Sequence, residues 1–287
     1  MRKFLACAAA LFAGAAHADA LRIVDDRGVA LTLERPVQRI VTLAPHLAEI
    51  AFAAGAGAKL VGVSAFSNTP DEARRLPVVA NYGRIDLERV IALQPDVVLA
   101  WQSGNPILQI GRLERLGIPA VVTEARRLED IPRIVRLVGA LAGSGAAADA
   151  QARRFESAVR DLGDRYASAS PVSVFLEIWH RPMLTVNGGH LVSDAIRICG
   201  GRNVFARAGF LTPVVSREQI LGARPEAIVT ADPGGDAPQA WRGLEAVPAV
   251  HAHKIYPVDP DLLLGQGPRL AEGVRALCDR LELARDK

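Results

Sequence analysis

The residues of this chain best suited to hold a metal or attack a substrate are six histidines and three cysteines. Their spacing supports little of that chemistry. His251 and His253 stand two apart, which on a strand would turn both rings to one face for a shared metal. No third ligand lies near them, so a solvated turn ahead of Lys254-Ile255-Tyr256 is the better reading. The patterns HExxH, CxxC, GxxxxGKS/T and GxSxG are all missing. Gly55-Ala56-Gly57 begins like a dinucleotide loop, but Leu60 stands where a third glycine is needed, and a helix-to-strand turn is expected. No catalytic residue is assigned, and a secreted metal-dependent enzyme is kept only as the reading from another class. His46 follows Pro45 at the end of an apolar strand and precedes a helix over 47–54, where ligands of α/β folds sit. Its ring is expected to touch a ligand or to cap that helix.

The cysteines read differently once the amino terminus is considered. Arg2 and Lys3 precede an uncharged apolar run from Phe4 to Ala16, and Ala16-His17-Ala18 or Ala18-Asp19-Ala20 offers small residues for cleavage. Residues 1–20 are therefore expected to be a secretory signal, too short to span a membrane. Cys7 lies too early in that run to carry a lipid anchor. Cys199 and Cys278 remain, an even pair that reads as one disulfide in an oxidising compartment, with two separately buried thiols as the alternative. A bridge there closes a loop of about 80 residues, worth roughly 4.5 kcal/mol as chain entropy. Losing Arg2 and Lys3 takes the formal charge from +3 to +1, or to +2 if Asp19 leaves as well. No basic run with interleaved aromatics appears, so nucleic acid is not an expected partner.

Short β-branched runs recur without polar alternation at 39–43, 60–63, 96–100, 120–123, 172–176, 227–230 and 254–258. Such runs imply parallel strands covered by helices on both faces. Gly143-Ser144-Gly145 breaks one helix, and a second runs from about 146 to 166 on a stripe of Ala148, Ala152, Phe155, Val159, Leu162 and Tyr166. At about 31 Å it is long enough to reach between two small lobes. Residues 87–99 can be laid over 217–229, each a short helix, a proline followed by an acid, then a buried strand. The expected organisation is a lobe over 21–145, a linking helix over 146–168 and a second lobe over 169–287.

A resemblance rests on Arg39-Ile40-Val41-Thr42-Leu43-Ala44-Pro45, Leu60-Val61-Gly62-Val63-Ser64, Ser67-Asn68-Thr69-Pro70 and the segment 87–96. These resemble the periplasmic binding proteins of iron-siderophore, haem and cobalamin importers. Trp101-Gln102-Ser103-Gly104-Asn105, Cys199-Gly200-Gly201-Arg202-Asn203-Val204-Phe205, Ser216-Arg217-Glu218-Gln219-Ile220-Leu221 and Pro268-Arg269 are similar to the cobalamin-binding branch. The resemblance implies two Rossmann-like α/β lobes joined by a single long helix, with the ligand in the cleft between them. It also implies a disulfide between Cys199 and Cys278, delivery of the ligand to an inner-membrane ABC permease dimer, and no reaction.

By the same resemblance Pro45, His46, Phe66, Tyr82 and Trp101 line the first lobe's wall. Trp179, in the turn 177–180, and Asp261, in the turn 261–264, approach from the second. The family is aromatic around Leu262, Leu263 and Thr212, and Trp179 is expected to compensate here. A corrinoid is a broad flat ring with amide-bearing edges, which calls for aromatic walls and little charge. Cobalamin is then the transported ligand rather than a cofactor. His46 is an axial-ligand candidate for a metal the ligand carries, a corrinoid's cobalt or a haem's iron. Ser216 and Gln219 fit a capping box and Asp86 fits a cap, so Glu88 and Glu218 both fall at the second position of a helix. They complement the helix dipole or, by the resemblance, dock onto the two permease subunits. The protein is expected to be a periplasmic monomer.

Overall fold

The computed structural model describes residues 20–81, 83–231 and 241–286. The signal segment up to residue 19, and Tyr82, lie outside the described residues. A hairpin of β1 (Leu21–Val24) and β2 (Ala30–Leu33) opens the chain. One sheet then gathers β3 (Ile40–Thr42), β4 (Leu60–Ser64), β5 (Val78–Asn81), β6 (Arg84–Ile85), β7 (Val97–Trp101) and β8 (Ala120–Thr123) in the order β6-β5-β4-β3-β7-β8. All its pairs are parallel except β5 with β6. A second, wholly parallel sheet gathers β9 (Val172–Glu177), β10 (Gly201–Asn203), β11 (Ala227–Thr230) and β12 (Ile255–Pro257) in the order β10-β9-β11-β12. The helices are α1 (Pro45–Ala53), α2 (Leu87–Ala92), α3 (Ile107–Arg115), α4 (Asp130–Ala142), α5 (Gly145–Tyr166), α6 (Leu191–Ile198), α7 (Arg217–Ala223), α8 (Pro248–His251), α9 (Pro260–Leu263) and α10 (Leu270–Arg285).

The unbroken apolar runs form strands because each strand has helices or loops on both faces. Ile40, Val97, Leu99 and Val121 join one core cluster, and their neighbours Val41, Val98 and Val122 join another behind the sheet. In the second sheet Val174, Leu176 and Val229 face the first cluster while Phe175 and Ile228 face a third, with Trp241. The shared cluster runs continuously from α1 and α4 through α5 to α6 and α10. Alternate side chains of each strand thus enter different cores.

The α5 stripe is the reason that middle cluster is continuous. Ala148, Ala152, Phe155, Leu162 and Tyr166 are buried and Val159 partly so. Gly143, at a φ of 70°, ends α4 in the left-handed region that favours glycine. α5 then packs on α4 and α1 before it in sequence and on α6 and α10 after it.

The internal repeat extends to hydrogen bonds that the sequence overlay does not contain. Gln94 and Arg224, 130 residues apart, both take a left-handed φ, 45° and 48°. Asp96 accepts the Gln38 and Arg39 backbone N–H groups at 2.6 and 2.9 Å, tying its turn to the start of β3. Glu226 accepts the Ser173 N–H at 2.7 Å and the Ser173 hydroxyl at 2.8 Å, at the start of β9. One βα unit is therefore built twice, with the acid after the proline locking the adjacent strand.

Cys199, after α6, is bonded to Cys278 within α10, 79 residues later. Both are fully buried, so the bridge fastens the last helix to its sheet through the core. His251 ends α8 and His253 lies in the turn before β12, both exposed. Among the described residues no helix is long and apolar enough to cross a membrane.

Candidate functional site

Parallel strands end together at their carboxyl edge, where the backbone leaves the sheet and side chains can meet a ligand. At that edge of the first sheet β3 leads to Pro45, β4 to Phe66 and β7 to Trp101. These three line one recess with Leu43, Ala44, Ser64, Ala65, Asn81, Gly104 and Asn105, none of them charged.

Trp101 is the best-positioned of them. Its backbone N–H donates to Asn105 Oδ1 at 2.7 Å, while Asn105 Nδ2 donates to the Leu43 carbonyl at 2.9 Å, tying the ends of β7 and β3 together. A Cβ on Gly104 would lie 1.8 Å from the indole, so the Trp-x-x-Gly-Asn spacing exists to let the ring cross bare backbone. His46 meets the same indole edge-on, with centroids 5.3 Å apart and planes at 89°. Burial holds the His46 imidazole down to about 4, so it is neutral at pH 7. His46 is not a helix cap: α1 begins one residue earlier, with Ala44 as cap and Pro45 at the first position, where a missing N–H costs nothing. Phe66 is 63% exposed and held at a φ of 66°. A bulky residue there marks a turn set by its surroundings, Ala65 N–H to the Ala80 carbonyl and Ser64 Oγ to Ser67 Oγ among them.

Trp179 and Asp261 are not part of that recess. Trp179 is 46% exposed in the hairpin that follows β9, its indole N–H donating to the Arg181 carbonyl at 3.0 Å and its backbone bridging Leu184. Asp261 is exposed in the first turn of α9, its N–H accepted by the Asp259 cap. Glu88 and Glu218 are exposed at the second positions of α2 and α7. Asp86 caps α2, and Ser216 with Gln219 forms the full capping box on α7. The Ser216 hydroxyl, with its own backbone and Arg217, holds the Glu218 carboxyl below the usual range.

Two arrangements have no counterpart in the sequence reading. Glu177, at the end of β9, is 1% exposed, and its oxygens meet His180 Nδ1 at 2.6 Å and Trp241 Nε1 at 3.2 Å. The only trace of it in sequence is a Glu-x-x-His spacing. Glu49 of α1 pairs with Arg269, just ahead of α10. Among the described residues no three or more His, Cys, Asp or Glu side chains are grouped to hold a metal ion.

The chain is similar to proteins of known family. Residues 40–262 match the family described as periplasmic binding protein. The vitamin B12-binding protein of Vibrio cholerae is 33% identical over 250 residues, 87% of this chain and 91% of that one. The crystal structure of the periplasmic vitamin B12 binding protein of Vibrio cholerae superposes with a TM-score of 0.82 at 32% identity, over 88% of this chain and 99% of that one. A periplasmic heme-binding protein from Roseiflexus sp. RS-1 follows with a TM-score of 0.75 at 25% identity, over 86% and 98%. With its mainly parallel first sheet, its parallel second sheet and a family match across most of its length, the chain belongs to the periplasmic binding protein family.

Proposed function

We propose that the chain captures cobalamin or a related corrinoid in the periplasm and hands it to an inner-membrane ABC transporter without catalysing a reaction. The observation that carries this reading is the recess built by Pro45, Phe66 and Trp101, in whose lining no described residue is charged. A corrinoid's flat, uncharged face packs on such a wall, whereas anionic siderophores need cationic groups there. The resemblance to named vitamin B12-binding proteins points the same way. In this reading residues 21–145 and 169–287 are the two lobes and 146–168 their strut. His46, Trp179, Asp261 and Tyr82 complete the cleft. The protein acts as a monomer after loss of its signal segment. Glu88 and Glu218, one on each copy of the repeated unit, meet the two permease subunits.

The test is colour retention. Purified protein is incubated separately with cyanocobalamin, haemin and a ferric siderophore, then passed through a desalting column. Cyanocobalamin should elute with the protein; retention of haemin or siderophore alone would replace the corrinoid reading.

A further inference from the structure

We propose that His180 is an axial ligand for cargo metal, so that this chain prefers a corrinoid whose cobalt carries exchangeable water. The inference rests on the corrinoid reading and narrows it. The carboxylate of Glu177 is 2% exposed, and both its oxygens are engaged, one by His180 Nδ1 at 2.6 Å and one by Trp241 Nε1 at 3.2 Å. A carboxylate oxygen accepts, so Nδ1 is the donor, and a ring with its single proton there keeps a lone pair on Nε2. Among the described residues no hydrogen bond is made to Nε2, and the His180 side chain retains 15% exposure.

Burying a carboxylate is costly unless a charge or donor set answers it. Here the answer fixes an imidazole in one tautomer and one orientation at the carboxyl edge of the second sheet. A carboxylate or carbonyl behind one ring nitrogen, with the other left open, is how proteins present histidine to a metal. His46 lacks this support: its ring is packed on Trp101, and no carboxylate among the described residues is bonded to it. Among the described residues His180 is grouped with no two further ligands, so it suits a metal that requires only one from the protein. A metal held in a planar macrocycle with one open axial position meets that requirement. On binding, the Nε2 lone pair forms a Co–N bond as the Co–OH2 bond breaks and water leaves; cobalt stays Co(III) and no electron moves.

The experiment is absorption spectroscopy and calorimetry of the purified mature protein with aquocobalamin and with cyanocobalamin, whose upper axial position is blocked. The expected result is a shift of the aquocobalamin bands toward those of an imidazole complex, no shift with cyanocobalamin, and at least about tenfold tighter binding of the aquo form. In His180→Ala the shift should vanish and the ratio of the two affinities fall to within about threefold. Because that value is a ratio, general damage to the site does not mimic it. Glu177→Gln, which disturbs positioning, should weaken only the aquo form, by about tenfold. Aquocobalamin bound without a shift, or a shift that survives His180→Ala, overturns the proposal while leaving the corrinoid reading intact. Cyanocobalamin and aquocobalamin both washing off the protein overturns the two together.

Discussion

Glu49 and Arg269, 220 residues apart, are joined by two hydrogen bonds: Arg269 donates its backbone N–H to Oε1 at 3.0 Å and its Nε to Oε2 at 3.1 Å. The pair links α1, beside the first sheet, to the start of α10, beside the second. Gly267 makes room for it, since a Cβ there would stand 2.4 Å from Oε1.

That relationship gives a coupled prediction. Gly267→Ala should cost about 1–3 kcal/mol of stability by overlap with the carboxylate. In a Glu49→Ala background the same change should cost at least about 1 kcal/mol less, because the oxygen it meets is gone. Urea unfolding of the four proteins measures the difference; equal costs in both backgrounds would show that Gly267 is not there for Glu49.

The disulfide should be complete and worth keeping. Denatured, unreduced, processed protein should give almost no free thiol, and reduction should lower stability by about 2–5 kcal/mol. Two free thiols per chain would contradict the bridge between Cys199 and Cys278.

Acid should weaken the fold in a defined window. Burial holds His46 and His190 down to about 4, against an ordinary 6.5. Below pH 6.5 the unfolded chain binds protons that the folded chain refuses until about pH 4. Stability is therefore full above 6.5 and falls as pH drops through that window, by less than about 3 kcal/mol per group because both rings are only half-buried. His190 also caps α6, its Nδ1 accepting the Val192 N–H at 3.2 Å, which a proton on Nδ1 would forbid. His190→Asn keeps a capping oxygen and should flatten the slope of Tm against pH between 4 and 6.5. An unchanged slope would contradict burial as its source.

Much of this was legible in the chain, for a physical reason. Strands buried on both faces must be apolar throughout, so 40–42, 60–64, 97–101, 120–123, 172–177, 227–230 and 255–257 announced themselves. β5, β6 and β10 did not, being two to four residues at or near sheet edges and carrying polar or exposed positions such as Asn81, Arg84 and Arg202. The α5 stripe gave the helix because its apolar face has helices on it from both sides in sequence. Pro45, Phe66 and Trp101 were legible as a wall only through the resemblance, because nothing in their own spacing marks them as neighbours in one recess. The couples Glu177–His180 and Glu49–Arg269 were not read as sites, because a single Glu-x-x-His and a pairing across 220 residues leave no periodic signal.

Docking is tested apart from binding. Glu88→Ala, Glu218→Ala and the double variant should lower complex formation with the permease and corrinoid uptake, while ligand affinity of the isolated protein stays within about threefold. Full docking by the double variant would leave the two carboxylates as helix-end charges only.

The most direct test of the account is calorimetric titration of the purified mature chain with cyanocobalamin, repeated on Trp101→Ala. One saturable site per chain is expected, with affinity lowered at least about 30-fold when the indole is removed. No binding of cyanocobalamin, or binding that Trp101→Ala leaves unchanged, would contradict a corrinoid site on this wall.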